Sequence, residues 1–167
     1  MATTRMFLDP QNALGLATAF PQFTKINGTN LPVSGLAYDA SSQENGFWQF
    51  PILAYGSGNI TATVLWYADT ASSGGVVWGG SIRAITPDAD TQDIETDALA
   101  TETTVADTHL GTTGQRLHTC AITVSNLDSV ANLDLVTFRL SRLTANGSDT
   151  MTGDAIVTAV ILSYSDT

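Results

Sequence analysis

A chain of 167 residues with 16 acidic and 6 basic side chains carries a formal charge of −10, a field that repels nucleic acid and argues against a phosphate-tracking surface. Its one cysteine, Cys120, closes no intrachain disulfide, and no stretch reaches the 18 or so apolar residues of a membrane-spanning helix. The length suits one domain with a core large enough to stand without staples.

Residues 1–30, "MATTRMFLDPQNALGLATAFPQFTKINGTN", mix single apolar residues with Pro10, Pro21 and Gly28 and hold no sustained period. They read as an extended N-terminal arm. The apolar run at 13–20 does not resemble a secretion leader, because only Arg5 precedes it and Asp9, Pro10, Gln11 and Asn12 stand where apolar residues should begin. Ordering backbone costs about 1–2 kcal/mol per residue, so Met6, Leu8, Leu14, Leu16, Phe20 and Phe23 must dock. Two hosts are open to them, the chain's own body or a neighbouring subunit.

From residue 31 to 167 the pattern turns to period two, the mark of strands with one face buried. "LPVSGLAYDA" (31–40) alternates weakly, and "NGFWQFPIL" (45–53) is a short aromatic run holding Pro51, which suits a strand end or an edge. In 59–68, Ile60, Ala62, Val64 and Trp66 share one face, with Thr61, Thr63, Leu65 and Tyr67 on the other. In 75–85, Val76, Trp78, Gly80 and Ile82 alternate with Val77, Gly79, Ser81 and Arg83, and the two adjacent glycines mark a bulge or a close approach. The "DTASSGG" turn between these stretches makes them read as a hairpin, with Trp66 and Trp78 on neighbouring strands and mainly in packing roles.

Further on, 116–124 sets His118, Cys120, Ile122 and Val124 together, and 133–142 does the same for Val136, Phe138 and Leu140. Residues 155–164 are almost wholly apolar, as in a central strand. Gly-rich turns separate these stretches, among them Asn146 followed by Gly147. Six to eight strands with little helical period indicate an all-β chain: an antiparallel β-sandwich or jelly roll over residues 31–167, with the arm before it.

Motifs for chemistry are scarce. His118 and Cys120 share a strand face, but structural zinc needs four ligands and no second cysteine exists. A cysteine in an apolar strand is usually inert, so pairing it with His109 or His118 gives a weak nucleophile. The stretch 87–107 holds Asp88, Asp90, Asp93, Glu95, Asp97, Glu102 and Asp107 with no basic residue, yet Asp93 stands where a calcium loop needs glycine. It reads as a solvated loop or a partner-facing surface. No H-E-x-x-H, G-x-S-x-G or phosphate-cradling motif occurs. The sequence therefore names no catalytic residue, no metal ligands and no cofactor. A glycan hydrolase would need two carboxylates about 5–9.5 Å apart in a cleft.

Three stretches, "LAYDASSQENGFWQFPIL", "YGSGNITATVLWYADTASSGGVVWGGSIRAI" and "LDLVTFRLSRLTANGSDTMTGDAIVTAVILSY", follow one another in an order that resembles tailed-bacteriophage virion proteins of the jelly-roll or sandwich type. The most telling elements are the acidic turn at 39–44 before an aromatic strand, Trp66 and Trp78 around a Ser/Gly turn, and Arg139 ahead of Gly153, Asp154 and an apolar final strand. The resemblance implies a non-enzymatic virion structural protein. The expected form is a capsid decoration (cement) protein, a homotrimer on the outer capsid surface that bridges major capsid subunits, with the six apolar arm residues as partner contacts. The alternative is a carbohydrate-binding head or tail fibre or spike module for host attachment, in which Trp48, Trp66, Tyr67 or Trp78 stacks on a glycan.

Overall fold

Alternation of large apolar and small or polar residues builds strands along most of the chain, and the computed structural model describes residues 2–71 and 73–166. Met1 of the expected arm, Ser72 of the Ser/Gly turn and Thr167 of the expected body lie outside the described residues. The strands are β1 (Thr3–Leu8), β2 (Gln22–Asn27), β3 (Pro32–Tyr38), β4 (Glu44–Pro51), β5 (Tyr55–Ala68), β6 (Gly75–Ile85), β7 (Thr103–Thr108), β8 (His118–Val124), β9 (Leu135–Arg142) and β10 (Ala155–Asp166). They form two antiparallel sheets. The larger runs β2-β3-β10-β5-β8, and the smaller runs β4-β9-β6-β7. The chain is an all-β sandwich.

β10 organises the larger sheet. One flank pairs with β5 along nearly its whole length, while the other is shared in tandem by β3 against Ala155 to Val157 and by β1 against Val160 to Ser165. A register shift between Val157 and Ala159 moves the inward set from Val157 to Val160. A bulge changes which face a residue takes, so β10 keeps feeding the core on both sides of it. Leu36, Ile60, Val64, Trp66 and Leu162 of the larger sheet meet Trp48, Trp78, Ile82, Phe138 and Leu140 of the smaller one, all buried.

The 58–82 segment departs from its expected form. β5 belongs to the larger sheet and β6 to the smaller, so the Ser/Gly turn carries the chain across the sandwich and is not a hairpin turn. Trp66 and Trp78 face one another through the core, their rings 6.2 Å apart and edge-on. Both are fully buried. A large inward residue every second position looks the same whether two strands are neighbours in one sheet or opposed in two.

Residues 2–30 dock on the chain's own body. Two stretches become β1 and β2 of the larger sheet, and the segment between them crosses to the smaller sheet and runs beside β4. Trp48 Nε1 donates to the Asp9 carbonyl (2.8 Å). Leu14 and Phe47 exchange two backbone hydrogen bonds (2.7 and 3.0 Å), and Asn45 N–H donates to the Ala19 carbonyl (2.8 Å). An open strand edge invites pairing with another chain; here the N-terminal segment takes that place. Leu8 is a core residue at 4 % exposure, unavailable to a partner as the arm reading expected. Met6 and Phe20 pack against the core, while Leu14, Leu16 and Phe23 stay exposed. Deleting residues 1–30 is therefore expected to abolish the cooperative thermal transition, followed by far-UV circular dichroism. A body that still melts sharply after that deletion would restore a detachable arm.

One buried cation fixes the passage from β9 to β10. Arg142 is fully buried and spends all five of its N–H groups. Nε and Nη2 hold Asp149 at 3.1 and 2.9 Å, Nη1 reaches the Tyr38 and Gly153 carbonyls at 3.2 and 3.0 Å, and Nη2 also reaches the Met151 carbonyl at 2.8 Å. Asp149 in turn accepts from Val77 N–H (3.0 Å).

Candidate functional site

The strand register of the smaller sheet lays out its outer face in rows. Trp48, Phe138 and Ile82 lie side by side and point inward. The rows on either side must then point out: Phe47, Arg139 and Ser81 in one, Gln49, Thr137 and Arg83 in the other. Two loops rise over this face. The segment at 13–16 flanks it along β4, and the acidic segment that follows β6 folds back across it, tied by Arg83 Nη1 to the Ile94 carbonyl (2.8 Å) and by Ala100 N–H to the Ile82 carbonyl (2.9 Å).

Between them lies a cleft of about 700 Å³. Leu14, Leu16, Phe47, Ile94 and Leu99 give it apolar walls, and Gln49, Arg83, Glu95, Asp97, Thr137 and Arg139 supply polar groups. Leu14, Leu16 and Ile94 are more than half exposed, which is unusual for side chains of this kind grouped in one concavity.

The polar groups are held in place. Arg83 Nη2 and Gln49 Nε2 both donate to Thr137 Oγ1, at 3.3 and 3.2 Å. Arg139 Nη2 pairs with Glu102 Oε1 at 2.9 Å. That ion pair explains Gly79, because a Cβ there would run into the Glu102 side chain. The close approach expected at the paired glycines is thus a carboxylate laid over β6. Three buried polar atoms on this face, Ser81 Oγ, Arg83 Nε and Arg139 Nε, have no hydrogen-bond partner among the described residues.

Trp48, Trp66 and Trp78 do not contribute. Their exposures are 3, 0 and 0 %, so they offer no ring face to a sugar, and the stacking role expected of them is corrected. Burial of these rings gains more than exposure would, roughly 1.5–3 kcal/mol for a large apolar side chain. Tyr67, at 7 % exposure, lies elsewhere. It borders a second concavity of about 720 Å³ on the outside of the larger sheet, with Ile26, Val33, Leu117 and Thr158. The four aromatics offered as stacking candidates are split between the core and the opposite face.

The His118–Cys120 pair also faces inward. Burial pushes the Cys120 thiol up to about 12, so no thiolate forms near neutrality. His118 is wedged against Trp66 and His109, with ring centroids at 4.6 and 4.5 Å, and burial lowers its pKa. His109 accepts from Gly111 N–H at Nδ1 (3.0 Å) and contacts the Gly114 carbonyl at Nε2 (2.8 Å). Those two partners suit a ring that accepts at Nδ1 and donates at Nε2. No nucleophile and base come together here.

Sequence reasoning passed over most of the cleft. Its one signal was polar residues, Ser81 and Arg83, inside a strand that is otherwise apolar on both faces; β6 is buried from Gly75 to Ala84. Arg139 stood out only through the resemblance. Glu95, Asp97 and Glu102 belonged to the stretch read as a solvated loop or a partner-facing surface, and the structure sets the first two at the cleft and the third in an ion pair.

No protein-family model and no curated protein matches this chain. Among solved structures it is similar to the CBM36-1 domain of a multidomain xylanase from the hindgut metagenome of Trinervitermes trinervoides, at TM-score 0.53 and 11 % identity over 95 % of this chain and 96 % of that one. A carbohydrate-binding module CBM36 in complex with calcium and xylotriose matches at TM-score 0.47 and 17 % identity, over 93 % and 97 % of the two chains. The enzymatically active domain of bacteriophage CBA120 tailspike protein 4 matches at TM-score 0.42 and 13 % identity, over 95 % of this chain and 19 % of that one. At such identities the likeness establishes the fold alone. The chain has the β-sandwich architecture found in carbohydrate-binding modules, with a cleft of mixed polarity on the outside of its smaller sheet.

Proposed function

We propose that this chain is a non-catalytic carbohydrate-binding module of a phage head or tail fibre or spike, serving host attachment, and that the cleft over β4, β9 and β6 receives the glycan. The observation that carries this reading is the lining itself. A sugar presents C–H faces and a rim of hydroxyls that both donate and accept. The cleft opposes the first with Leu14, Leu16, Phe47 and Ile94, and the second with Gln49, Glu95, Asp97 and Arg139. Sites of this size, mainly apolar with a few fixed polar groups, are the usual form of small-ligand sites. The sandwich of the xylanase domain supports the reading at the level of architecture. The capsid cement form, a homotrimer on major capsid subunits, rests on the sequence resemblance alone.

Phe47 is the aromatic ring of the cleft, and its backbone bonds to Leu14 survive truncation of the side chain. Phe47→Ala is expected to weaken glycan binding about tenfold, equivalent to about 1.4 kcal/mol, with little change in melting temperature. Affinity electrophoresis against a panel of soluble polysaccharides, followed by calorimetry on those that retard the protein, checks this. A panel in which no polysaccharide is bound rejects the module.

A further inference from the structure

We propose that the floor of this cleft is a carboxylate site, so that the glycan it takes is an acidic one, carrying a carboxylate on the sugar seated over Arg83 and Arg139. The inference rests on the glycan reading above and narrows it to a ligand class.

Two buried arginines make the comparison. Arg142 is fully buried and is neutralised by Asp149, with every N–H group engaged. Arg83 is buried as well, at 4 % exposure, but among the described residues it meets no carboxylate within ion-pair distance; the ion pairs found there are Arg139 with Glu102 and Arg142 with Asp149. Its Nη1 and Nη2 bonds go to a neutral carbonyl and a hydroxyl, and its Nε has no partner. A buried charge left without a counter-charge costs several kcal/mol. A ligand that brings a negative charge removes that cost.

The neighbouring free atoms point the same way. Ser81 sits directly opposite Arg139 in the β6–β9 register and two residues from Arg83 on the same face. Directly opposed residues in a sheet stand about 4.5–5.5 Å apart at Cβ. Ser81 Oγ, Arg83 Nε and Arg139 Nε are three polar atoms of this face left without a hydrogen-bond partner among the described residues, and Arg83 and Arg139 line the cleft. A carboxylate has about four acceptor sites and pairs well with guanidinium groups. Glu95 and Asp97, which also line the cleft, accept from the hydroxyls of an acidic sugar, contacts that a bare inorganic anion does not offer.

Calorimetry on the intact chain with a short oligouronate and with its carboxyl-reduced, uncharged counterpart tests the site. The oligouronate should bind at least about tenfold more tightly, the scale of hydrogen bonds to a charged group. Arg83→Met should erase that preference, because it removes the charge that the sugar carboxylate would meet. Arg83→Gln, which keeps a donor but no charge, should lower the preference likewise, and it carries the test alone should Arg83→Met fail to fold. Equal binding of the two sugars, or a preference that survives Arg83→Met and Arg83→Gln, overturns the carboxylate site and leaves the module reading standing. If neither these sugars nor any neutral polysaccharide binds, both readings fall together.

Discussion

Replacing Arg142 with methionine will destabilise the protein by roughly 3–5 kcal/mol, the scale for breaking a buried ion pair by removing one partner. Three losses combine. Asp149, whose side chain is 2 % exposed, keeps its charge without a counter-ion. The Tyr38, Met151 and Gly153 carbonyls lose a donor. The segment between β9 and β10 loses the post that ties it to β3. For a chain of this size each kcal/mol moves the melting temperature by about 2–4 °C, so a shift of roughly 6–20 °C is expected. Adding Asp149→Asn to Arg142→Met should recover part of it, since the stranded charge is then gone. A melting point within a degree or two of the parent would mean that the guanidinium is not the centre of that network. Arg83 differs: its removal forfeits bonds to a carbonyl and a hydroxyl but strands no carboxylate, so a smaller loss is expected.

Trp66→Ala should cost roughly 3–5 kcal/mol. The ring is fully buried against Trp78 and His118, at centroid distances of 6.2 and 4.6 Å, and its indole N–H donates to Asp107 Oδ2 at 2.8 Å. Truncation leaves a cavity and removes the bond that ties β7 to β5. Trp66→Phe separates the two effects, filling much of the space but leaving Asp107 Oδ2 without its donor, and should cost about 1–3 kcal/mol. Denaturant unfolding measures both. A loss well under 1 kcal/mol for the alanine variant would place the ring outside the core.

Where the hydrophobic period was strong the sequence was legible. The expected stretch 75–85 coincides with β6, and 59–68, 116–124, 133–142 and 155–164 each fall on a strand with ends shifted by a few residues. β1, β2 and β7 went unread for a common reason: each is six residues long and partly exposed along its length, so TTVADT of β7 buries no residue fully. Periodicity also says which residues face a core and nothing about which sheet a strand joins. That is why Trp66 and Trp78 were expected as neighbours when they are opposed across the sandwich. The cleft was the least legible part. Its side chains come from β4, β6, β9 and two loops, and only strand register brings Arg83, Arg139 and Ser81 to one place.

The placing of β10 has a consequence for how the protein is made. Residues 155–166 emerge from the ribosome after every strand they join, and until then β1, β3 and β5 wait without the partner they share. Pairings so distant along the chain are slow to form, and strand edges left open meanwhile are prone to join other chains. Synthesis interrupted a few codons before this strand is therefore expected to release aggregating material, not a slightly shorter functional product.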